Sequence, residues 1–304
     1  MTGETMGLKN SDKAIYYEDW WHTYSKQMNA DNTLALHSGY YEKGIRTHEE
    51  AVINKNRLIE KLLDLNNLVK KNGKILDAGC GVGGTSIFLA KNHSNIKFIG
   101  INNNKSQIYL ASKFAQEHNV TSNTEFIMGD HRETKLPADF FDGIFALEAL
   151  TRTKDKIRFL REAFRILKKN KKLVIDDAFL IKKPSNYITK KAYSAYCITW
   201  NIPFVDSLDD FKNYLKDLNF GDIKIIDITK NSRFSFFIIN LKFLFYAIFS
   251  KSKIKRDEKK NMQKNDKSLI STNMYLYIII LFFSSMILLL NRNIGKIVIT
   301  AIKK

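Results

Sequence analysis

The sequence predicts an α/β protein built on a parallel, doubly wound sheet with helices on both faces. Two observations predict it. Between Lys74 and Phe179, short apolar runs rich in β-branched residues alternate with amphipathic stretches of helical length, and the first run, KILDAG, ends in a glycine-rich turn that opens a helix. The chain has 304 residues, 44% of them hydrophobic, which is enough for one large domain or one domain with a substantial lid. Ligands in such sheets sit beyond the carboxyl ends of the strands.

Residues 10 to 50 are rich in aromatics and histidine (YYEDWWHTYSKQ, then LHSGYYEKGIRTHEEA), and Ala51 to Val69 carries apolar residues at helical spacing. From Lys74 the pattern predicts strand KILDAG, a helix from about Gly84 to Lys91, strand IKFIGI and a helix from about Lys105 to His118. Strands TEFIMGD and FDGIFALE, a charged helix from about Asp155 to Lys168 and strand KKLVIDDAF follow. The rhythm loosens after Lys183, then resumes with a helix from about Leu208 to Leu218 and the strand DIKIIDIT. Residues 234–250 are almost wholly apolar, the next segment is basic, and the 22 residues 269–290 carry no charge, a length that meets the threshold for crossing a bilayer. The final GKIVITAIKK reads as one more strand, which a single crossing by 269–290 would part from the sheet. The favoured reading is therefore a lid of two helices packed on the core and dipping into one leaflet with the lysine-rich linker on anionic headgroups; a true span comes second and an ordinary buried helix pair third. The expected divisions are 1–70 (aromatic cap and helix), 71–182 (nucleotide-type core) and 183–304 (rest of the sheet with the apolar segments).

Lys and Arg outnumber Asp and Glu by 49 to 31, a formal charge of +18, which favours anionic partners such as a membrane surface or nucleic acid. A Lys-, Asn- and Ile-rich composition can also follow from an AT-rich genome. Two cysteines, Cys80 and Cys197, are too few for a disulfide framework or a cysteine metal site. The polar start MTGETMGLKNSDK offers no secretion signal, so the catalytic part is expected in the cytoplasm, on the cytoplasmic face of a membrane if the apolar segments dock.

The chemistry is concentrated in KILDAGCGVGG. Gly79, Gly81 and Gly83 permit a tight turn and close approach of a ligand to the backbone. A pyrophosphate binder usually has G-x-G-x-x-G; here the glycines run G-x-G-x-G-G behind Asp77, and a carboxylate there suits the cationic, phosphate-free S-adenosylmethionine. The second strand ends about 20 residues later, where ribose-binding groups are expected, in Asn102, Asn103 and Asn104. An amide offers a diol both a donor and an acceptor, whereas Asn104 also suits a helix N-cap.

These motifs resemble the class I S-adenosylmethionine-dependent methyltransferases. GINNNKSQI is similar to the GLNNN-x-x-QI run of sterol C24-methyltransferases and their bacterial relatives, and CGVGG matches the same group. FDGIFALEALTRTKDK falls where that family has AIEATCHAP, REAFRILKKNKKLVIDD corresponds to its helix and strand, and YYEDWW is similar to its YEYGW region. LHSGYY resembles an LHYGYW-like element of bacterial small-molecule methyltransferases. The resemblance covers about residues 15–180 and the last strand. It implies a Rossmann-like seven-stranded sheet with an N-terminal helical cap and a C-terminal apolar lid. It further implies S-adenosylmethionine as cofactor, with Asp77 under its amino or methionine part, Asn102 and Asn103 on ribose and adenine edge and Gln107 steadying them. Asp130, with His131 beside it, would meet the adenine, and Leu147 and Glu148 would lie where cofactor meets substrate.

The implied reaction is methyl transfer to a sterol, isoprenoid or other lipid, C-methylation favoured, with O- or N-methylation of a quinone, phospholipid or natural product as the alternative. Thr151, Arg152, Thr153 and Lys154 replace the family's Cys-His-Ala-Pro, so a sterol contact through that His is not carried over. No metal is needed, because the sulfonium is already activated and catalysis is largely positioning. A cation formed on an alkene would be stabilised by aromatic faces, for which Tyr16, Tyr17, Trp20, Trp21, Tyr40 and Tyr41 are candidates, and Glu18, His22, His37 or Glu148 could remove the last proton. A nucleic-acid methyltransferase would explain the charge, but ALEALT stands where an Asn-Pro-Pro-Tyr-like element is expected. A non-catalytic adaptor would predict loss of the glycine turn or of Asp77, and both are present.

Overall fold

The computed structural model describes residues 25, 30, 32–68, 72–235, 237–239, 241–242, 279–280 and 282–304. Helix α1 (His48–Leu63) starts at Thr47, whose hydroxyl accepts from the Glu50 amide while the Glu50 carboxylate accepts from the Thr47 amide, a reciprocal capping box. It ends at Asp64, whose left-handed backbone (φ +58°) separates it from the short α2 (Leu65–Leu68), so the expected single helix to Val69 is broken. Its inner face carries Ala51, Val52, Ile59 and Leu63, and also the polar pair Lys55 and Asn56.

Strand β1 (Lys74–Ala78) leads through the glycine turn into α3 (Gly84–Asn92), and β2 (Lys97–Asn102) into α4 (Lys105–Glu117). Then come β3 (Thr124–Met128), β4 (Phe141–Leu147), α5 (Lys156–Ile166) and β5 (Leu167–Leu180). Helices α6 (Tyr187–Trp200) and α7 (Leu208–Asp217) precede β6 (Phe220–Asp227), and β7 (Ile294–Lys303) is the last strand described. Helix α6 occupies the stretch where the sequence rhythm loosened.

The strands form one seven-stranded sheet in the order β3-β2-β1-β4-β5-β7-β6. Its first five are parallel, as expected, but β7 runs antiparallel between β5 and β6, so the sheet is mixed. Successive side chains on a strand point to opposite faces. Ile75, Phe98, Phe145, Val174 and Val298 accordingly pack in one core, and their neighbours Leu76, Ile99, Ile144, Ile175 and Ile297 pack in the other. Each such side chain contributes about 1.5–3 kcal/mol on burial. Both faces are therefore committed to helix packing, and the carboxyl edge is left for a ligand.

Among the described residues no helix is long and apolar enough to cross a membrane. Residues 229–235 and 282–290 are helical, and Leu288 packs with Ala192 and Tyr196 of α6 in a third, smaller cluster. Ten of the 17 residues 234–250 and half of 269–290 lie outside the described residues. Strands β6 and β7 pair from Phe220↔Lys303 to Asp227↔Ile297, so the chain that leaves the sheet at β6 returns to its own neighbour. That pairing is incompatible with a single bilayer crossing between them.

Candidate functional site

Beyond β1 the chain turns through Gly79, Gly81 and Gly83, all with positive φ (+95°, +56° and +82°), a conformation that favours glycine. The amides of Gly79 and Cys80 both donate to the Ile101 carbonyl (2.9 and 3.1 Å), which fastens the turn to the end of β2. A Cβ on Gly79 would stand 2.5 Å from Ala149 Cβ, and one on Gly83 would stand 2.6 Å from Phe126 Cζ. A Cβ on Gly81 would stand 2.9 Å from Leu36 Cδ1, and one on Gly84 would stand 2.3 Å from the Leu34 carbonyl oxygen. Residues 34–36 of the LALHSGYY stretch thus lie directly over the turn.

Asp77, near the end of β1, is buried and accepts a hydrogen bond from Ser86 Oγ (2.7 Å). Burial pushes its carboxyl up to about 7, against the opposing effect of the Ser86 hydroxyl. At the end of β2, Asn102 Nδ2 donates to Gln107 Oε1 (2.6 Å) and reaches the Gly81 carbonyl (3.4 Å), so the amide bridges the turn and α4. Asn103 is exposed beside it. Asn104 caps α4, its Oδ1 accepting from the Gln107 amide (3.1 Å). The structure therefore brings Gly79, Gly81, Gly83, Asp77, Asn102 and Gln107 to the junction of β1 and β2.

Asp130 follows β3, as predicted, but its carboxylate is held by Arg132 (2.6 and 3.0 Å). The hydrogen bonds from Arg132 lower its pKa to about 2. His131 Nε2 lies 2.9 Å from Thr153 Oγ1, and the ring meets Phe159 edge-on, centroids 5.3 Å apart. Burial lowers its pKa to about 4. Leu147 ends β4 and is paired with Asp176 of β5. Tyr41 meets Phe234 edge-on (5.0 Å), while Tyr16, Tyr17, Glu18, Trp20, Trp21 and His22 lie outside the described residues.

Glu148 and His37 fall in a polar cluster between the covering stretch and the sheet. Glu148 has left-handed backbone (φ +52°) and donates its amide to the Asp176 carbonyl (2.8 Å). Its Oε1 accepts from the Ser38 amide (2.9 Å) and hydroxyl (2.5 Å) and lies 2.9 Å from Lys296 Nζ. Lys296 also lies 3.2 Å from Asp176 Oδ1, while Asp176 Oδ2 accepts from Lys55 Nζ at 2.5 Å. Burial alone would raise the Glu148 pKa; Lys296, then Lys55, His37 and Ser38, outweigh it and bring it to about 2. His37 is buried, with Nδ1 3.0 Å from the Ser38 carbonyl oxygen and Nε2 3.1 Å from Asn56 Oδ1, and burial lowers its pKa.

Sequence reasoning missed Lys55, Asp176 and Lys296. Their signal was the lone lysine on the apolar face of α1, the acid pair inside VIDDAF and the lone lysine inside GKIVITAI.

Residues 69–217 match a protein family described as "Methyltransferase domain". Over 100 residues the chain is 35% identical to the sterol 24-C-methyltransferase of Aspergillus fumigatus, a match that covers 33% of this chain and 26% of that protein. It is 27% identical over 198 residues to the 27-O-demethylrifamycin SV methyltransferase of Amycolatopsis mediterranei, covering 65% of this chain and 71% of that one. Among solved structures, the geranyl diphosphate C-methyltransferase of Streptomyces coelicolor superposes with a TM-score of 0.66 at 11% identity, over 98% of this chain and 100% of the other. That likeness is one of fold.

Proposed function

We propose that this chain, whose domain is of the class I, S-adenosylmethionine-dependent methyltransferase superfamily, transfers the methyl group of S-adenosylmethionine to a hydrophobic small molecule. The observation that carries the reading is the junction of β1 and β2, where three positive-φ glycines, a buried carboxyl and an amide side chain meet at the carboxyl edge of the sheet.

The residues fit that cofactor. Asp77, buried with its carboxyl raised to about 7, is a poor neighbour for a phosphate and a good one for a cation. Asn102 and the exposed Asn103 offer donors and acceptors to hydroxyls without adding charge. When bound, the sulfonium supplies an activated methyl group and a neutral leaving group. The chain's own contribution is to bind, orient and exclude water: the glycine turn admits the ligand to the backbone, and Leu34 and Leu36 cover the turn. In this reading Glu148 and His37, both engaged in the polar cluster, support the covering stretch rather than accept the substrate's proton.

The acceptor class rests on the relatives, one named a sterol 24-C-methyltransferase and one a 27-O-demethylrifamycin SV methyltransferase. C-methylation of a sterol, isoprenoid or other lipid is the first reading, and O- or N-methylation of a quinone, phospholipid or natural product is the second. We place the enzyme at the cytoplasmic face of a membrane, on the strength of the apolar stretches 234–250 and 269–290 and the basic residues between them.

Methyl-labelled methionine, supplied to cells with and without the protein, tests both parts by mass spectrometry of lipid extracts. A labelled lipid that disappears with Asp77→Ala supports the proposal and identifies the acceptor. Label found in RNA or protein instead would overturn the substrate class.

A further inference from the structure

Three separate parts of the chain converge on Glu148: Ser38 from the covering stretch, Lys296 from β7, and the backbone of Asp176 from β5. Both donors of Ser38, the amide and the hydroxyl, go to the same carboxylate oxygen that Lys296 pairs with. On one side of Ser38, Leu36 and Leu34 lie against Gly81 and Gly84. On the other, the Gly39 amide donates to Ser235 Oγ (2.7 Å) and the Tyr41 amide to the Asn231 carbonyl (3.0 Å). The covering stretch is therefore tied down through a few polar contacts, and the central one is borrowed from an ion pair.

The ion cluster is an expensive way to obtain stability. Lys55 and Asp176 have side chains 0% exposed, and removing such charges from water costs about as much as their attraction returns. Its geometric effect is specific, because it links α1, β4, β5 and β7 to the stretch over the turn. We propose that Lys296 is a positioning residue of the cofactor site: by pairing with Glu148 it fastens Ser38 and keeps Leu34 and Leu36 seated over the glycine turn. The role in cofactor retention rests on the methyltransferase reading; the fastening of Ser38 does not.

The groups facing Glu148 are Lys55 of α1, Lys296 of β7, Asp177 of β5, Tyr196 of α6 and His37 of the covering stretch. The two lysines prevail over burial, so the carboxylate stays ionised at neutral pH and accepts both Ser38 donors. Without Lys296, the remaining lysine of that group is already engaged by Asp176. The carboxylate's hold on Ser38 weakens accordingly.

The test uses the full chain with Lys296→Met, Lys296→Arg and Ser38→Ala, and reads two quantities. Hydrogen exchange at the Ser38 amide is followed without cofactor, and the Kd for S-adenosylmethionine is measured by calorimetry. Lys296→Met is expected to speed exchange at Ser38 and weaken Kd about tenfold, equal to about 1.4 kcal/mol. Lys296→Arg should restore both in part, and Ser38→Ala, which keeps the Lys296–Glu148 pair, should weaken Kd in a protein that remains folded. A folded Lys296→Met protein with wild-type Ser38 exchange and Kd overturns the proposal. If that variant does not fold, wild-type Kd in Ser38→Ala does so. Faster Ser38 exchange in Lys296→Met, alongside a wild-type protein that binds no S-adenosylmethionine, would fault the cofactor reading and leave the fastening intact.

Discussion

Asp77 shows how one buried side chain links pH to two properties. Its carboxyl stands at about 7 in the folded protein against an ordinary 3.8, so the folded state holds the proton more tightly between those values. Its contribution to stability is then fully present below about pH 4 and falls as pH rises toward 7; Asp77→Asn should remove that slope from denaturant titrations. A bound cation favours the ionised carboxylate, so affinity for S-adenosylmethionine should tighten from pH 6 to 8, by at most about tenfold per pH unit, and calorimetry on Asp77→Asn should show a flat profile. Glycines divide in a similar way. Gly83→Ala meets Phe126 at 2.6 Å with φ at +82°, and should cost more than about 2 kcal/mol in urea unfolding. Gly44→Ala has the same handedness (φ +96°) but open space, and should cost only the backbone part, about 1–2 kcal/mol. Asp77, the glycines and Asn102 were legible because one strand-turn-helix and the end of the next strand bring them together. Lys55 and Asp176 stand 121 positions apart and meet only through the finished sheet, so no local pattern could pair them.

Most elements announced themselves through periodicity and caps. Asn104 was readable as the cap of α4, and Asn104→Ala should lower stability by about 1 kcal/mol in thermal unfolding. Helix α6 was not readable because only Thr189, Ala192 and Tyr196 of its fourteen residues are buried, and its Tyr, Ile and Thr content argues as well for a strand. Strand β7 was legible as a strand but not as to its place. Its alternation says that both faces are covered, whereas its direction depends on the path taken by the chain between 228 and 293. Val298 is paired with Asp176 on one side and Ile226 on the other. Val298→Pro removes a donor from the middle of that sheet, and should cost about 3 kcal/mol or more and leave little soluble protein.

For the whole molecule, the formal charge of +18 and the neutral interior cluster act at different ranges. The cluster's two lysines and two carboxylates cancel locally, so the excess is presented outward. Residues 251–267 hold eight Lys or Arg and three Asp or Glu, a net charge of +5. If the enzyme docks on a membrane as proposed, sedimentation with anionic vesicles should fall as salt rises and should drop when those eight residues are made neutral. Binding unchanged by both would assign the docking to the apolar stretches alone. The place of β7 also bears on synthesis. A ribosome delivers β6 and then more than sixty further residues before the strand that belongs beside it. Until β7 is made, β5 and β6 have no strand to join them and Glu148 lacks Lys296, so the polar cluster beside the glycine turn is incomplete. The strand that joins β5 to β6 is thus made after both of them, and a chain without it shows an open β5 edge and an unpaired β6, the state most exposed to wrong pairing.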